Sequence, residues 1–175
     1  MVKDVIGYAP IPGSERTAIG VLGSLNVLHA AAAEGVRVRR SGISDAALLF
    51  PLQRAYELEE VVIDRGLFSD TACLRMLRQG LRDDLVFHAV RDGRALAKAG
   101  TNARGYGVDQ IGGVFTVPAE RGRGLARIVM AALLEAIFAE KPLASLFVKT
   151  TNERAIALYE RLAFRTVGGY AISYY

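Results

Sequence analysis

The sequence predicts an α/β (α+β) fold with a mixed sheet, and three observations support this prediction. Strand and helix patterns follow one another in the order β-α-α-β-β-β-α-β-α-β-β, after an N-terminal extension over residues 1–35. The most regular helical pattern, over about 125–141, directly follows an apolar strand and a glycine-rich loop. The length of 175 residues and the hydrophobic content of 51% suit one domain with a substantial core, expected over 36–175.

In the extension, an apolar, alanine-rich stretch predicts a helix over about 21–33 that ends at Gly35. The domain then begins with an alternating strand over 36–39. Two helices are expected next, over about 44–60 and 69–82. Ser44 or Asp45 is expected to cap the first helix, and Pro51 to kink it or begin a second segment. The segment Ser69-Asp70-Thr71 is expected to cap the second.

The remaining elements are defined by turn residues. Asp92-Gly93 predicts a tight hairpin between strands 85–90 and 95–101, followed by a third strand over 108–117. The pair Gly112-Gly113 inside that strand indicates a bulge or the close approach of a ligand. After the helix at 125–141, a buried strand over 143–149 is expected. Thr151 or Asn152 is then expected to cap a helix that runs through Leu162. The chain should close with a hairpin of 164–167 and 170–175 around Gly168-Gly169.

Composition excludes several classes of protein. The net charge of +4 is a mild bias, and no basic face with interleaved aromatic residues indicates nucleic-acid binding. A lone cysteine, Cys73, excludes an intramolecular disulfide and is expected to be buried on the apolar face of a helix. No membrane span or signal peptide is expected, so the predicted location is cytoplasmic, without a membrane partner. The apolar extension and the Tyr174-Tyr175 end favour a homodimer.

The most informative segment is the loop Arg121-Gly122-Arg123-Gly124, which joins an apolar strand to the start of a long helix. Glycines let successive N–H groups point the same way, and a helix N-terminus carries unpaired N–H groups and a partial positive charge. This order predicts a phosphate or pyrophosphate site. It is not a Walker loop, because no Gly-Lys-Ser/Thr follows. It is not a dinucleotide fingerprint either, because Arg127 occupies the place of the third glycine.

A second motif begins at Asn152, directly after the buried strand at 143–149. Helical spacing places Asn152, Ala155 or Ile156, and Tyr159 on one face. An amide and a phenol then frame a small side chain, which leaves room for a ligand arm with a hydroxyl at its end. The alternative is that Tyr159 only packs at an interface with its hydroxyl hydrogen-bonded.

Together, Val114–Ala126 and Asn152–Phe164 resemble the GNAT superfamily of acetyltransferases, and the resemblance covers about residues 36–175 in element order. Residues 52–60 and 97–104 also resemble a subgroup of mostly uncharacterised predicted acetyltransferases. The resemblance implies a mixed, centrally splayed sheet of about six to seven strands flanked by about four helices. It implies acetyl-CoA as cosubstrate and no metal. The chain departs from the family at Ala119, where Gln or Arg is usual, and at Ala163, where glycine is usual.

The resemblance also implies roles for single residues. Tyr159 would be the general acid beside the sulfur. The residues implied in binding acetyl-CoA are Val114, Phe115, Thr116, Val117, Arg121, Gly122, Arg123, Gly124, Leu125, Ala126 and Asn152. A strand N–H near Phe115 would serve the oxyanion.

The reaction that follows is acetyl transfer to a primary amine by direct attack. The expected acceptor is a small-molecule or peptide amine, which the sequence does not name. For the general base, Glu60 is the residue selected, with Glu57, Glu59, Asp109 or a water chain as alternatives. Asn102 is a candidate substrate contact. His88 is expected to be a structural or surface histidine. Two other functions remain open: a non-catalytic acyl-CoA-binding or sensory module on the same fold, and an interaction protein whose loop binds nothing.

Overall fold

A seven-stranded mixed sheet organises the chain in this computed structural model, which describes residues 15–21, 35–62 and 64–171. The strands are β1 (Glu15–Val21), β2 (Arg37–Arg40), β3 (Val86–Arg91), β4 (Arg94–Arg104), β5 (Val108–Thr116), β6 (Leu143–Lys149) and β7 (Arg165–Ala171). They lie side by side in the order β2-β3-β4-β5-β6-β1-β7. Neighbouring strands are antiparallel except β5 and β6, which are parallel.

The helices occupy both faces of this sheet. The α-helices within the described residues are α1 (Ala46–Tyr56), α2 (Asp70–Asp83), α3 (Leu125–Phe138) and α4 (Glu153–Arg161). One buried cluster packs α3 and the end of α4 against the sheet. A second cluster packs α1 and α2 on the sheet around Phe115. The mixed α/β architecture predicted from the sequence is confirmed. None of the helices in the described residues is both long enough and apolar enough to cross a membrane.

The two ends of the chain meet in the sheet in a way that the sequence did not indicate. β1, from the N-terminal extension, lies between β6 and β7 and is antiparallel to both. The helix predicted over 21–33 lies outside the described residues from residue 22 onward, as does Tyr174-Tyr175. Val21, where that helix was predicted to begin, is the last residue of β1.

The closing hairpin predicted around Gly168-Gly169 is wrong for residues 165–171. These residues form one strand, β7, along β1. The register shifts where Ala18 pairs with Gly168 and Ile19 pairs with Thr166, which leaves Val167 as the extra residue of a bulge. Gly168-Gly169 therefore does not form a turn. The pair lies in the strand directly after the bulge, and glycine is common beside bulges because the backbone there is irregular.

The start of the domain differs from prediction at two points. α1 runs through Pro51 without dividing into two segments, and it ends at Tyr56 in a π-helical turn over Glu57–Val61. Asp45 precedes α1, but its carboxylate accepts from the Gly42 N–H at 2.9 Å and makes no cap bond to the helix. The cap predicted within Ser69-Asp70-Thr71 is confirmed: Ser69 is the N-cap of α2 and accepts from the Ala72 N–H at 3.3 Å.

Candidate functional site

The two central strands separate partway along their length and open a cleft. β5 and β6 pair only between residues 108–111 and 143–146. Beyond Ile111, β5 pairs with β4 alone among the described strands. The side of β5 that faces β6 is therefore free of a strand partner over 112–116, and a cleft with a volume of about 920 Å³ occupies the gap. A free strand edge presents backbone N–H and C=O groups to an extended ligand.

The backbone of β5 bulges at the floor of this cleft. Phe115 pairs with Lys98 and Gly112 pairs with Gly100, so Gly113 and Val114 together face one residue of β4. This is the bulge that Gly112-Gly113 predicts. A larger residue would not fit well at either position. Gly113 has a φ of +61°, and a Cβ on Gly112 would lie 2.4 Å from Nδ2 of Asn102.

The glycine-rich loop brings a helix N-terminus to the same cleft. Gly122 and Gly124 have φ values of +80° and +77°, and a Cβ at either position would meet no atom within 4 Å. Gly124 is the N-cap of α3 and provides no side-chain cap bond, so the first N–H groups of this 14-residue helix have no side-chain acceptor at the N-cap. Leu125 and Ala126, which begin the helix, line the cleft. The loop has the open space and the free donors that an anion needs.

Arg121 is held by the protein instead of pointing freely at this anion site. Its Nη2 donates to both carboxylate oxygens of Glu59 at 2.7 and 2.9 Å, and its Nε donates to the Thr116 carbonyl at 3.1 Å. Its guanidinium also lies 5.4 Å from the centroid of the Phe115 ring. Arg121 therefore fastens the loop to the π-helical turn after α1.

Tyr159 lines the cleft and is buried, with only 6% of its surface exposed. Its ring lies 5.7 Å from that of Phe164. Burial raises the pKa of Tyr159 well above its usual value, and the nearby Tyr56 and Glu60 raise it further. The phenol therefore keeps its proton at neutral pH, so it can donate a proton but cannot act as a resident base.

Asn152 lies on the cleft wall and also begins α4. Its Oδ1 accepts from the Ala155 N–H at 3.1 Å, as an N-cap residue does. One side chain thus fixes the start of the helix that carries Tyr159.

Of the three glutamates in the π-helical turn, Glu59 and Glu60 line the cleft. Glu59 pairs with Arg121, and Glu60 pairs with Lys149 at 2.9 Å. Glu57 accepts from Nε2 of Gln53 at 2.8 Å. The turn is therefore fastened to both walls of the cleft, to the glycine-rich loop on one side and to the end of β6 on the other.

Three other titratable residues lie away from the described cleft lining. Asp109 is fully buried at the start of β5 and accepts from Nε of Arg104 at 3.0 Å, so it is not placed to act as the base. His88 is fully buried with Nδ1 2.7 Å from Oγ of Ser41, and burial lowers its pKa, as a structural histidine requires. Cys73 is buried, and burial raises the pKa of its thiol to about 11, which fits a packing role.

Most of the predicted site residues meet in this one cleft. The predicted residues that line it are Asn102, Val114, Phe115, Thr116, Arg121, Gly122, Gly124, Leu125, Ala126, Asn152, Tyr159 and Glu60. Val117 and Arg123 are not among the described lining residues. Val117 packs against the cluster under α1, and Arg123 pairs with Glu120 at 3.1 Å.

Sequence reasoning missed three features of the cleft. Tyr56 lines it and packs edge-on against Phe115, with ring centroids 6.3 Å apart. Arg127, Arg154 and Arg161 add exposed positive charge to its lining. Lys98 is buried beneath the bulge of β5. The position of Arg127 could have been predicted from the sequence, because it follows the glycine-rich loop within one helical turn. The pairing that brings Lys98 and Tyr56 to the site is long-range and leaves no local pattern.

The fold is similar to those of several solved structures. A protein from Novosphingobium aromaticivorans DSM 12444 that is assigned to the GNAT family is 24% identical, with a TM-score of 0.66 over 93% of this chain and 66% of that one. The chain thus spans only part of that relative's length. A predicted acetyltransferase with acetyl-CoA from Clostridium acetobutylicum is 16% identical, with a TM-score of 0.61 over 75% of this chain and 91% of that one.

A ribosomal-protein-alanine N-acetyltransferase from Brucella melitensis is 21% identical, with a TM-score of 0.61 over 74% of this chain and 84% of that one. At these identities the structures show a shared fold. No curated protein matches the chain. The family model described as Acetyltransferase (GNAT) family matches residues 52–164, which is more than half of the chain and includes both motifs. The chain belongs to the GNAT acetyltransferase family.

Proposed function

We propose that this chain is an N-acetyltransferase that moves an acetyl group from acetyl-CoA to a primary amine by direct attack. The observation that carries the proposal is one continuous cleft that joins three features. These are the glycine-rich loop at the start of α3, the free edge of β5 and the protonated phenol of Tyr159. In acetyl-CoA, the pyrophosphate would lie at the loop, the extended pantetheine arm along the edge of β5, and the thioester sulfur beside Tyr159.

The residues present suit a CoA thioester. Gly122 and Gly124 leave open the space that a Cβ would fill, and the uncapped N-terminus of α3 supplies N–H donors for a diphosphate. The backbone of Val114 to Val117 would pair with the pantetheine arm as an added strand does. Because the guanidinium of Arg121 is already paired with Glu59, we assign the diphosphate contact of the loop to its backbone.

Acetyl-CoA supplies a thioester carbonyl that the amine nitrogen attacks, and the C–S bond breaks as the C–N bond forms. A strand N–H near Phe115 would stabilise the negative charge on the carbonyl oxygen. Tyr159 would give its phenolic proton to the departing thiolate, which is why its protonated state matters. The proton lost by the amine would pass to Glu60, directly or through water. Glu60 is the carboxylate that lies at the cleft within electrostatic reach of Tyr159.

Two measurements test this proposal. Titration calorimetry with acetyl-CoA should show binding at or below tens of micromolar. A screen of an amine library for CoA release should then find an acceptor whose product is heavier by one acetyl group in a mass spectrum. Binding without turnover across the library would replace the enzyme with an acyl-CoA sensor on the same fold. Absence of binding would exclude both.

A further inference from the structure

Lys98 is a buried cation that neither motif of the family includes. Only 5% of its surface is exposed, although it lies in the middle of β4. Its Nζ donates to the Gly113 carbonyl at 2.9 Å and lies 4.8 Å from the centroid of the Tyr56 ring. Burying an ammonium group is costly unless it is hydrogen-bonded or paired. The hydrogen bond to Gly113 and the contact with the Tyr56 ring offset this cost.

The carbonyl that Lys98 holds belongs to the bulge at the cleft. Gly113 and Val114 line the cleft, and neither has a ladder partner in β4 or β6 among the described residues. The orientation of the peptide group between them is therefore not set by sheet pairing. Gly113 has a φ of +61°, and a Cβ there would lie 2.9 Å from Nζ of Lys98. The positive φ favours glycine at this position, and a side chain there would also displace the ammonium group of Lys98.

A planar trans peptide fixes where the other side of this group points. No cis peptide bond occurs in the described residues, so the Gly113 C=O and the Val114 N–H point in opposite directions. The carbonyl points to the Nζ of Lys98, which lies over the Tyr56 ring, and the Val114 N–H accordingly points away from this ammonium group. Gly113 and Val114 line the cleft, whereas Lys98 is not among its described lining residues. We propose that Lys98 is a positioning residue, which holds the Gly113 carbonyl so that the Val114 N–H faces the acyl oxygen in the cleft.

This assignment rests on the proposed function of the cleft and makes it more specific. The oxyanion donor becomes the Val114 N–H, and its direction depends on one side chain that does not itself touch the substrate. A donor fixed before the reaction stabilises developing charge without reorganisation.

The groups around Lys98 determine how this arrangement responds to pH. Burial lowers the pKa of Lys98 to about 8, while Glu57 and Cys73, which face it from the π-helical turn and from α2, raise it. Tyr56 faces it from α1 through its ring. Lys98 therefore holds its carbonyl as an ammonium below this pH. Above it, the neutral amine is a weaker donor and the peptide is held less firmly.

The test is Lys98→Met, which keeps the length of the side chain and removes the ammonium. We expect kcat to fall about 10- to 100-fold, less than the roughly 10²- to 10³-fold cost of removing an oxyanion donor, because the Val114 N–H remains and only its orientation is lost. The dissociation constant of acetyl-CoA should change less than about two-fold. In the unliganded protein, the ¹⁵N shift of the Val114 amide should move, and its hydrogen exchange should be faster. Lys141→Met is the matched control, because Lys141 also donates to a backbone carbonyl, that of Tyr106 at 3.3 Å, but on the surface.

The unaltered protein provides a second measurement that does not depend on the variant folding. Its Val114 amide shift should titrate with a midpoint near the pKa of about 8 of Lys98, and kcat should decline over the same range. An active protein whose Lys98→Met variant keeps its kcat, or whose Val114 amide does not titrate, would overturn the role of Lys98 alone. Lack of acyl transfer by the unaltered chain would instead overturn the proposed function.

Discussion

At the scale of single residues, burial gives Tyr159 its chemical character. A phenol has a pKa of about 10 in water, and the surroundings of Tyr159 raise it further because they disfavour the phenolate. The same burial makes proton transfer to a thiolate, whose thiol has a pKa of about 8.5, uphill as a complete step. In the proposed reaction, proton donation would therefore occur as the C–S bond breaks, from a hydroxyl that is already in position.

Replacing Tyr159 with Phe removes that proton and leaves most of the packing against Phe164 in place. We expect kcat to fall by about 10²-fold or more, as for loss of a general acid, with acetyl-CoA affinity nearly unchanged. Steady-state kinetics and calorimetry measure the two quantities separately. Tyr106→Phe is the control, since Tyr106 is fully exposed and should tolerate the change. Unchanged turnover in Tyr159→Phe would remove the assigned role.

Ala163 shows how a departure from the family pattern affects the backbone. It has a φ of +63°, in the left-handed region, just after α4 and before Phe164. The Phe164 N–H donates to the Tyr159 carbonyl at 2.9 Å, so the chain makes the turn that a glycine usually makes. An alanine in this conformation is strained by about 1 kcal/mol.

Ala163→Gly should therefore stabilise the protein. Relief of the strain exceeds the added chain entropy of glycine in the unfolded state, so the free energy of unfolding should rise by up to about 1 kcal/mol. Thermal unfolding should shift upward by roughly 2–4 °C. Ala139→Gly, at the end of α3 where φ is −67°, makes the same substitution without strain to relieve and should lower stability instead. Equal effects at the two positions would contradict the strain argument.

At the scale of elements, we expect the glycine-rich loop to bind the diphosphate through its open space and backbone N–H groups more than through its arginine side chains. Gly124→Glu places a negative side chain in the open volume beside the start of α3. We expect acetyl-CoA binding to become undetectable by calorimetry, because the side chain would fill the proposed diphosphate site and its charge would repel the diphosphate.

The control separates this effect from backbone strain. Gly93 has a φ of +71°, and a Cβ there would likewise meet no atom within 4 Å, but it lies in the hairpin turn between β3 and β4. The Gly93→Glu variant should lose about as much stability as the Gly124→Glu variant, because both place a side chain at a positive φ, but it should still bind acetyl-CoA. If Gly124→Glu binds as well as Gly93→Glu does, the loop is not the diphosphate site.

Sequence patterns within a few residues predicted the caps of α2 and α4 and the bulge correctly, but they did not predict pairings between distant parts of the chain. Asn152 and Ser69 cap their helices as predicted, and Gly112-Gly113 forms a bulge, because each signal acts within a few residues of itself. The strand β1 and the single strand β7 were missed, because their pairing joins residues about 150 positions apart, as Glu15 with Ala171. The fastening of Glu59 to Arg121, 62 residues away, has no local signal either.

At the scale of the whole molecule, the same sheet supports a cleft in its middle and a buried polar cluster near one edge. The cleft lies where β5 and β6 separate, whereas β2, at the edge, and its neighbour β3 pair along their length beside buried polar groups. His88 on β3 is the largest of these and is fully buried beside Ser41. Its burial has no part in the proposed chemistry and should be visible in stability instead.

The direction of that effect follows from the pKa of His88. Burial and Arg39 lower this pKa in the folded state from the ordinary value of 6.5, while Asp45 raises it, with a net lowering. The unfolded chain therefore binds more protons than the folded chain as pH falls below 6.5, and the free energy of unfolding should decrease there. The loss amounts to at most about 1.4 kcal/mol per pH unit, and it levels off below the pKa of the folded state.

Urea unfolding from pH 8 to pH 5 measures this slope. His88→Asn keeps a hydrogen-bonding group near Ser41 without a titrating ring, so its unfolding free energy should vary less between pH 6.5 and pH 5 than that of the parent. Asp45, whose pKa is lowered from 3.8, contributes its own loss of stability only at more acidic pH, below this window. Parallel curves for the two proteins would assign the acid sensitivity to other groups. A flatter curve for His88→Asn, with Tyr159→Phe following the parent, would assign the acid sensitivity to the buried groups beside β2 and β3 and not to the cleft between β5 and β6.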